Sequence, residues 1–197
     1  MADAENELTV LPPEESVRRR TRVYFGVDRG SPELPTRILE AVARQAFHPW
    51  PDGPAAHVPR VVVEISADLV FSVTDDQPDT LPPGHETPVI HRYGTLAHPA
   101  RRWMYIQSSG LCTHVDLEVW RDGRGFRQTL HGHHAIAPPE WFAAPAGAGT
   151  RATFFLDETY VGRTALTTDP ALLDLHHPDC AERPDDVVVR DLRGPGA

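Results

Sequence analysis

Two groups of side chains in this sequence could bind a metal ion, because each combines imidazole groups at short spacing and one adds a thiol. They are His131, His133 and His134 in the first group and His176, His177 and Cys180 in the second. Zinc and other soft divalent ions prefer such ligands. Their spacing fits no zinc finger, and clustered loop histidines are more often solvated than bound to metal. A His-rich metal-binding protein is therefore the lesser alternative, and no metal site is predicted.

Two charged features could also take part in chemistry. Glu40 lies in a helical pattern, where a carboxylate can act as a general base, a role worth about 10²–10⁴ in rate. A lone Glu on a helix is, however, usually just solvated. The basic run V-R-R-R-T-R at residues 17 to 22 could contact nucleic acid, but such short runs are more often a solvated helix face. Neither feature defines a site by itself.

The elements that must position these residues follow from local patterns. Proline and two glutamates at residues 12 to 15 predict a short helix over about 14 to 20. Apolar residues at helical spacing predict a second helix over 35 to 47, ended by the proline at 49. Alternating patterns predict two β-hairpins, one over 61 to 73 and one over 115 to 130, the latter turning at Asp122-Gly123.

The other segments complete the predicted fold. A long loop or lid-like segment is expected from residue 74 to about 99, and after a loop at 143 to 149 come a strand at 152 to 156, a weak helix at 170 to 175 and a strand at 187 to 192. This order is neither strict βαβ alternation nor all-β. It predicts an α/β (α+β) fold, a two-layer sandwich of a mixed β-sheet with helices on one face.

Length and charge limit the classes of function. A chain of 197 residues is long enough for one core, so we predict a single domain over 14 to 193, with a flexible segment at 1 to 13 and a tail at 194 to 197. The net charge of −9 disfavours free duplex DNA as a ligand. Two distant cysteines and the lack of a long apolar run predict a reduced, cytoplasmic protein that does not enter a membrane, and a monomer by default.

The first half of the chain contains motifs of a known ATP-binding fold. Residues 15 to 20, E-S-V-R-R-R, followed by V-Y-F-G at 23 to 26, are similar to an opening E-A-V-R-K-R-P-G-M-Y-I-G. Residues 38 to 46, I-L-E-A-V-A-R-Q-A, are similar to a helix V-x-E-V-V-D-N-A. Residues 70 to 76, V-F-S-V-T-D-D, are similar to the strand and turn V-x-V-x-D-D-G-R-G-I-P.

The second half continues the match in the same order. Residues 117 to 128, L-E-V-W-R-D-G-R-G-F-R-Q, are similar to a hairpin, and Gly149-Thr150 with Phe154 to a G-T-x-V-x-F strand. Residues 187 to 193 are similar to a terminal I-x-L-x-D-x-R strand. The chain thus resembles, over nearly its whole length, the ATPase domain of gyrase B-type type II DNA topoisomerase subunits, which has the GHKL (Bergerat) fold.

This resemblance implies roles for five residues. Glu40 matches the catalytic glutamate, and Arg44 stands where the family has a magnesium-binding asparagine, so that it could meet a phosphate directly. Asp75 matches the aspartate that accepts a hydrogen bond from the adenine amino group, with Thr150 beside it. Arg121 falls where an arginine of the family contacts aminocoumarin inhibitors. The structural alternative is a turn Asp, a strand-start Thr and a surface Arg.

Departures from the family pattern disfavour hydrolysis. Arg44 removes a magnesium ligand and adds a cation, so magnesium is not expected. Between residues 82 and 112 only Ser108-Ser109-Gly110-Leu111 remains of the glycine-rich G-G-L-H-G-V-G that cradles the triphosphate, which predicts a shortened or altered lid.

We therefore expect a degenerate, non-hydrolysing module that binds or regulates, rather than an enzyme. ATP or another adenine ligand is the candidate cofactor, and a protein or a small adenine-like ligand is the candidate partner. The alternative is a topoisomerase-like protein that binds and hydrolyses ATP with an unusual lid.

Overall fold

A mixed β-sheet forms the centre of the molecule. The computed structural model describes residues 11–47, 60–76, 103–132, 134–167, 169, 172–175 and 187–194. The strands are β1 Val61–Ala67, β2 Val70–Asp75, β3 Cys112–Arg121, β4 Arg124–His131, β5 His134–Ala135, β6 Glu140–Ala143, β7 Ala148–Leu156 and β8 Val187–Asp191. Their order in the described part of the sheet is β5-β4-β3-β7-β2-β1-β8, with β6 also paired to β4. Only the β1–β8 pair is parallel among these strands.

Helices cover one face of this sheet. They are α1 Pro13–Arg19, α2 Thr21–Phe25, α3 Leu34–Phe47, α4 Trp103–Ser109 and the single turn α5 Glu158–Val161. Helix α3 packs against β1 and β2, and α4 packs against α1, α3 and β3. The described helices include none that is long and apolar enough to cross a lipid bilayer.

The core lies between the helical layer and the sheet. Helix α3 buries Ile38, Leu39 and Val42 along one stripe, as the 3.6-residue repeat requires. Alternate residues of the strands, such as Val63 and Leu117, are buried as well. The other side of the sheet carries mainly polar side chains. The predicted two-layer α/β sandwich, with a mixed sheet and helices on one face, is confirmed.

Most predicted elements occur with small changes of boundary. Both hairpins are present, α3 begins at Leu34, and the strand predicted at 152 to 156 begins earlier, at Ala148. One boundary was wrong: Thr74 and Asp75 belong to β2, because both pair with β7 rather than starting a loop. The rest of the predicted loop lies outside the described residues.

Several elements were not predicted. Helix α4 has no solvent-exposed stripe from Tyr105 onward, because Tyr105 and the four residues after it are all buried. Its sequence therefore lacks the alternation of apolar and polar residues that marks a surface helix. The short α2, α5, β5 and β6 offer too few residues for a periodic signal. The predicted helix at 170 to 175 falls partly outside the described residues, and the described residues 173 to 175 are not helical.

Candidate functional site

Asp75 and Thr150 lie side by side in the sheet. They are register partners at the ends of β2 and β7, and each is only 1% exposed. A carboxylate removed from water in this way needs hydrogen-bond donors. The two residues that the sequence predicted for one site are therefore brought together, and Asp75 belongs to β2 rather than to a turn.

Tyr105 supplies one donor to this carboxylate. Its hydroxyl lies 3.3 Å from Asp75 Oδ2, and its ring packs edge-on against Phe154 at a centroid distance of 5.6 Å. Tyr105 itself is buried. A phenolic O–H thus donates to the carboxylate at the position where the resemblance places an adenine amino group. Sequence reasoning missed Tyr105, because it lies on the unpredicted helix α4, 30 residues along the chain from Asp75.

Gly149 shapes the same end of β7. A Cβ atom at this position would lie 2.2 Å from the ring of Trp120 and 2.8 Å from the carbonyl oxygen of Asp75. Trp120 is the register partner of Gly149 across β3 and β7, and its ring lies over the glycine. Gly149 is therefore needed for packing in this structure, whether or not a ligand binds.

Glu40 is buried on α3 and both of its carboxylate oxygens have partners. Arg37 Nη1 donates to Oε2 at 2.9 Å, and the backbone amide of Asp174 donates to Oε1 at 2.9 Å. Glu40 is only 3% exposed, so it is not the solvated helix glutamate that the sequence left as an alternative. The hydrogen bond to Glu40 raises the pKa of Arg37 above its usual value.

Arg44 lies one helical turn beyond Glu40 and binds the same segment. Its Nη2 donates to the carbonyl oxygen of Asp174 at 2.6 Å and lies 2.8 Å from the Asp174 carboxylate. Its Nε is buried without a hydrogen-bond partner among the described residues. Residues 172–175, called the 172–175 segment below, are thus fastened to α3 at Glu40 and Arg44.

Helix α4 contacts both α3, which carries Glu40 and Arg44, and β2, which carries Asp75. The backbone amide of Met104 donates to the side chain of Gln45 on α3, and the next residue, Tyr105, donates to Asp75 on β2. A movement of α4 would therefore change its hydrogen bonds with Gln45 and with Asp75. Arg121, in contrast, is exposed at the end of β3, two residues beyond Val119, the register partner of Thr150.

The residues that the sequence matched to the end of the glycine-rich lid join α4 to β3. Ser108 and Ser109 form the last turn of α4, and Gly110 leads into β3. A Cβ on Gly110 would lie 2.6 Å from Cγ1 of Val17 and 2.9 Å from Cα of Glu14. The glycine therefore allows α1 to approach the end of α4.

The histidines give no metal site in the described part of the chain. The side chain of His131 binds the backbone, with Nδ1 2.8 Å from the carbonyl oxygen of Thr113. No group of three or more metal-binding side chains occurs among the described residues. His133, His176, His177 and Cys180 lie outside them.

The mixed sheet with a helical layer on one face has the GHKL (Bergerat) fold of the solved structures that it matches. Within that class the fold is that of the gyrase B ATPase domain. The chain is similar to the 43K ATPase domain of Thermus thermophilus gyrase B, solved in complex with an aminocoumarin, with a TM-score of 0.60 and 23% identity over 82% of this chain and 43% of that one.

The gyrase B subunit of Myxococcus xanthus gives a TM-score of 0.54 with 21% identity, over 80% of this chain and 46% of that one. The chain thus spans less than half of the length of these gyrase B structures. No protein-family model matches the sequence, and no curated protein matches it. At these identities the similarity establishes the fold alone.

Proposed function

We propose that this chain is a non-hydrolysing domain with the gyrase B ATPase fold, acting as a binding or regulatory module. The observation that carries the proposal is the state of Glu40. A general base must lie within hydrogen-bond reach of its water, but Glu40 is buried, and Arg37 and the Asp174 amide each donate to one of its oxygens at 2.9 Å. In this arrangement Glu40 holds the 172–175 segment on α3 instead of holding a water molecule.

The surroundings of Arg44 support the same proposal. Magnesium is held by oxygen ligands, and here a guanidinium stands at the matching position, paired with Asp174 at 2.8 Å. The loss of an oxygen ligand and the positive charge of Arg44 both disfavour a metal ion at this position. A nucleotide, if bound, would bind without magnesium.

The pair Asp75 and Thr150 favours a second candidate function, a residual adenine pocket. The carboxylate and the hydroxyl are buried at neighbouring positions on adjacent strands, which suits a ligand with an exocyclic amino group. The Tyr105 hydroxyl competes for the same carboxylate. ATP or another small adenine-like ligand would therefore bind weakly, and a protein partner is the remaining candidate if none binds.

Calorimetric titration and a phosphate-release assay test hydrolysis directly. ATP and a nonhydrolysable analogue are titrated with and without magnesium against the wild type and Glu40→Gln. We expect no magnesium-dependent turnover and no change in nucleotide binding on the substitution. Turnover that needs magnesium and is lost in Glu40→Gln would establish the alternative, an ATP-hydrolysing topoisomerase-like protein.

A stability measurement tests the structural role of Glu40. Glu40→Ala leaves the Asp174 amide and Arg37 without their acceptor, which should lower the free energy of unfolding by about 1–3 kcal/mol. Glu33→Ala is the matched control, because Glu33 also binds Arg37, at 3.3 Å, but from an exposed position. Urea unfolding of the two variants should separate them, and equal stability would contradict the role assigned to Glu40.

Removal of the Tyr105 hydroxyl tests the residual pocket. Tyr105→Phe keeps the ring against Phe154 but removes the donor to Asp75, so adenosine should bind several-fold more tightly than to the wild type. Asp75→Asn in the same background should abolish that gain. If adenosine binds equally to all three proteins, or to none, Asp75 does not contact an adenine and the search moves to protein partners.

A further inference from the structure

A cavity of about 360 Å³ lies on the side of the sheet that faces away from the helices. Its floor is made by β3, β4 and β7, and its wall by Ala137, Pro138 and Glu140. The floor presents Asp116, Glu118, Arg127, Thr129, Arg151 and Thr153. Their inward neighbours Leu117 and Ala152 are buried, as expected when side chains alternate across a strand. A volume of this size accommodates a small ligand or a single long side chain.

The two arginines of this cavity already have anionic partners. Arg151 Nη2 lies 3.1 Å from Glu64 Oε2, and both groups are partly exposed. Arg127 Nε lies 3.9 Å from Glu140 Oε2, and its guanidinium is 5.2 Å from the centre of the Phe142 ring. Their positive charges are therefore largely offset by groups at the margin of the cavity.

Two carboxylates in the floor form no direct ion pair with a described residue. Glu118 lies directly opposite both Arg127 and Arg151 in the strand register, yet it forms no hydrogen bond or ion pair with any described residue. Asp116 Oδ1 accepts a hydrogen bond from the Thr129 hydroxyl at 2.6 Å, a neutral donor that leaves the charge in place. Half-buried carboxylates favour a cationic partner, because burial penalises uncompensated charge.

The spacing of these carboxylates limits the shape of a ligand. Asp116 and Glu118 are two residues apart on β3, so they point to the same face with Cα atoms about 6.5–7 Å apart. A group with several N–H donors can bridge that distance, and the methylene chain behind it can lie along Ala137 and Pro138 as long cationic side chains do on apolar surfaces.

We propose that this cavity binds a primary ammonium or guanidinium group through Asp116 and Glu118. Such a group can come from a free polyamine or from a lysine or arginine side chain of a peptide. The site is on the opposite face of the sheet from the helical layer and does not depend on nucleotide binding.

Calorimetry at low ionic strength tests the proposal with two probes, spermidine and the capped tripeptide acetyl-Ala-Arg-Ala-amide. Asp116→Asn and Glu118→Gln each remove one charge while keeping the side-chain shape, and each should weaken binding at least about fivefold. Glu33→Gln, at the residue before α3, is the control and should bind as the wild type does. Added salt should weaken binding, because exposed charges are screened.

The outcomes separate the two sources of the cation. Binding of spermidine without the tripeptide supports a polyamine site, and binding of the tripeptide without spermidine supports recognition of a peptide side chain. Binding of both supports the shared chemistry. Failure of both probes to bind at millimolar concentration, or unchanged binding in the Asp116→Asn, Glu118→Gln double variant, would overturn the proposal. Circular dichroism of each variant checks that the sheet is retained.

Discussion

At the scale of single residues, the basic run at 17 to 22 is explained largely by structure. Arg18 Nε donates to the carbonyl oxygen of Gly110 at 2.7 Å, and its Nη2 lies 2.9 Å from Asp157 Oδ2. Arg19 pairs with Glu15 along α1, and Arg22 lies 3.4 Å from Asp28. Arg18 therefore fastens α1 to the region where β3 and α5 begin.

Asp157 is the acidic partner of Arg18. It caps the N-terminus of α5, accepting from the Thr159 amide at 3.0 Å, and it also binds Arg18. Burial by itself would raise the pKa of Asp157, but the hydrogen bonds from Thr159 and Arg18 outweigh it, and the pKa of this carboxyl is lowered overall. The ionised form is therefore stabilised by folding.

This shift predicts a pH-dependent stability. Because the folded-state pKa is below the unfolded value of about 3.9, the contribution of Asp157 is present above that pH and is lost as the pH falls through the folded pKa. Asp157→Ala should cost about 1–2 kcal/mol at pH 7 through the lost cap and ion pair. Urea unfolding of both proteins between pH 7 and pH 3 should show the difference narrowing in acid, and a constant difference would contradict this account.

At the scale of elements, close approach of α1 to the end of α4 requires a glycine. Gly110 has no left-handed backbone, so only space limits the residue there, and both Val17 and the backbone of Glu14 occupy that space. The contact joins the N-terminal helix to the helix that carries Tyr105. Packing at Gly110 therefore helps to place the Tyr105 hydroxyl against Asp75.

Gly110→Ala should destabilise the protein by about 1–3 kcal/mol, because an inserted methyl group must push α1 outward. Gly194→Ala is the matched control, since a Cβ at residue 194 would meet nothing within 4 Å. Thermal unfolding followed by circular dichroism compares the two variants with the wild type. If Gly110→Ala is as stable as Gly194→Ala, the helices can separate at little cost and the proposed tight contact is wrong.

The C-terminal strand β8 is fixed by the arginine of its own motif. Arg193 is largely buried and binds Asp191 at 2.9 Å, Asp68 at 3.3 Å and the carbonyl oxygen of Leu166 at 3.2 Å. The hydrogen bond to Asp191 raises the pKa of Arg193. The D-x-R pattern at 191 to 193 thus ties the strand to the β1–β2 turn, and a structural role explains it without reference to a ligand.

At the scale of the whole molecule, one continuous core joins the helical layer to the sheet. It includes residues of α1, α3, α4 and the central strands, and Cys112 at the start of β3 lies within it. The Cys112 thiol donates to the Ser108 carbonyl oxygen at 3.3 Å, and burial raises its pKa far above the usual value. The thiolate needed for reaction is therefore scarce in the folded protein.

Cys112 should thus report on global opening. In a Cys180→Ser background, the labelling rate with a thiol-reactive disulfide at pH 8 should be several orders of magnitude below that of the urea-unfolded chain, and it should rise with urea along with the loss of circular dichroism. Fast labelling of the folded protein would mean that the contact between α4 and β3 opens locally. The core would then not be one cooperative unit.

The sequence by itself determined the elements whose patterns are local. Period-two alternation marked both hairpins, a 3.6-residue repeat marked α3, and the turn at Asp122-Gly123 set the register of β3 and β4. The motifs around Asp75 and Thr150 predicted that these two residues share a site, and the sheet makes them register partners. These features follow from the sequence because each residue type has a preference within its own segment.

Only the tertiary structure decided the partners of the candidate site residues. Glu40 receives the amide of Asp174 across 134 positions of the chain, and Asp75 receives the hydroxyl of Tyr105 across 30. Gly110 lies against α1. The physical reason is that periodicity records which side of an element is buried, whereas the group that meets a buried carboxylate depends on how distant elements pack in three dimensions.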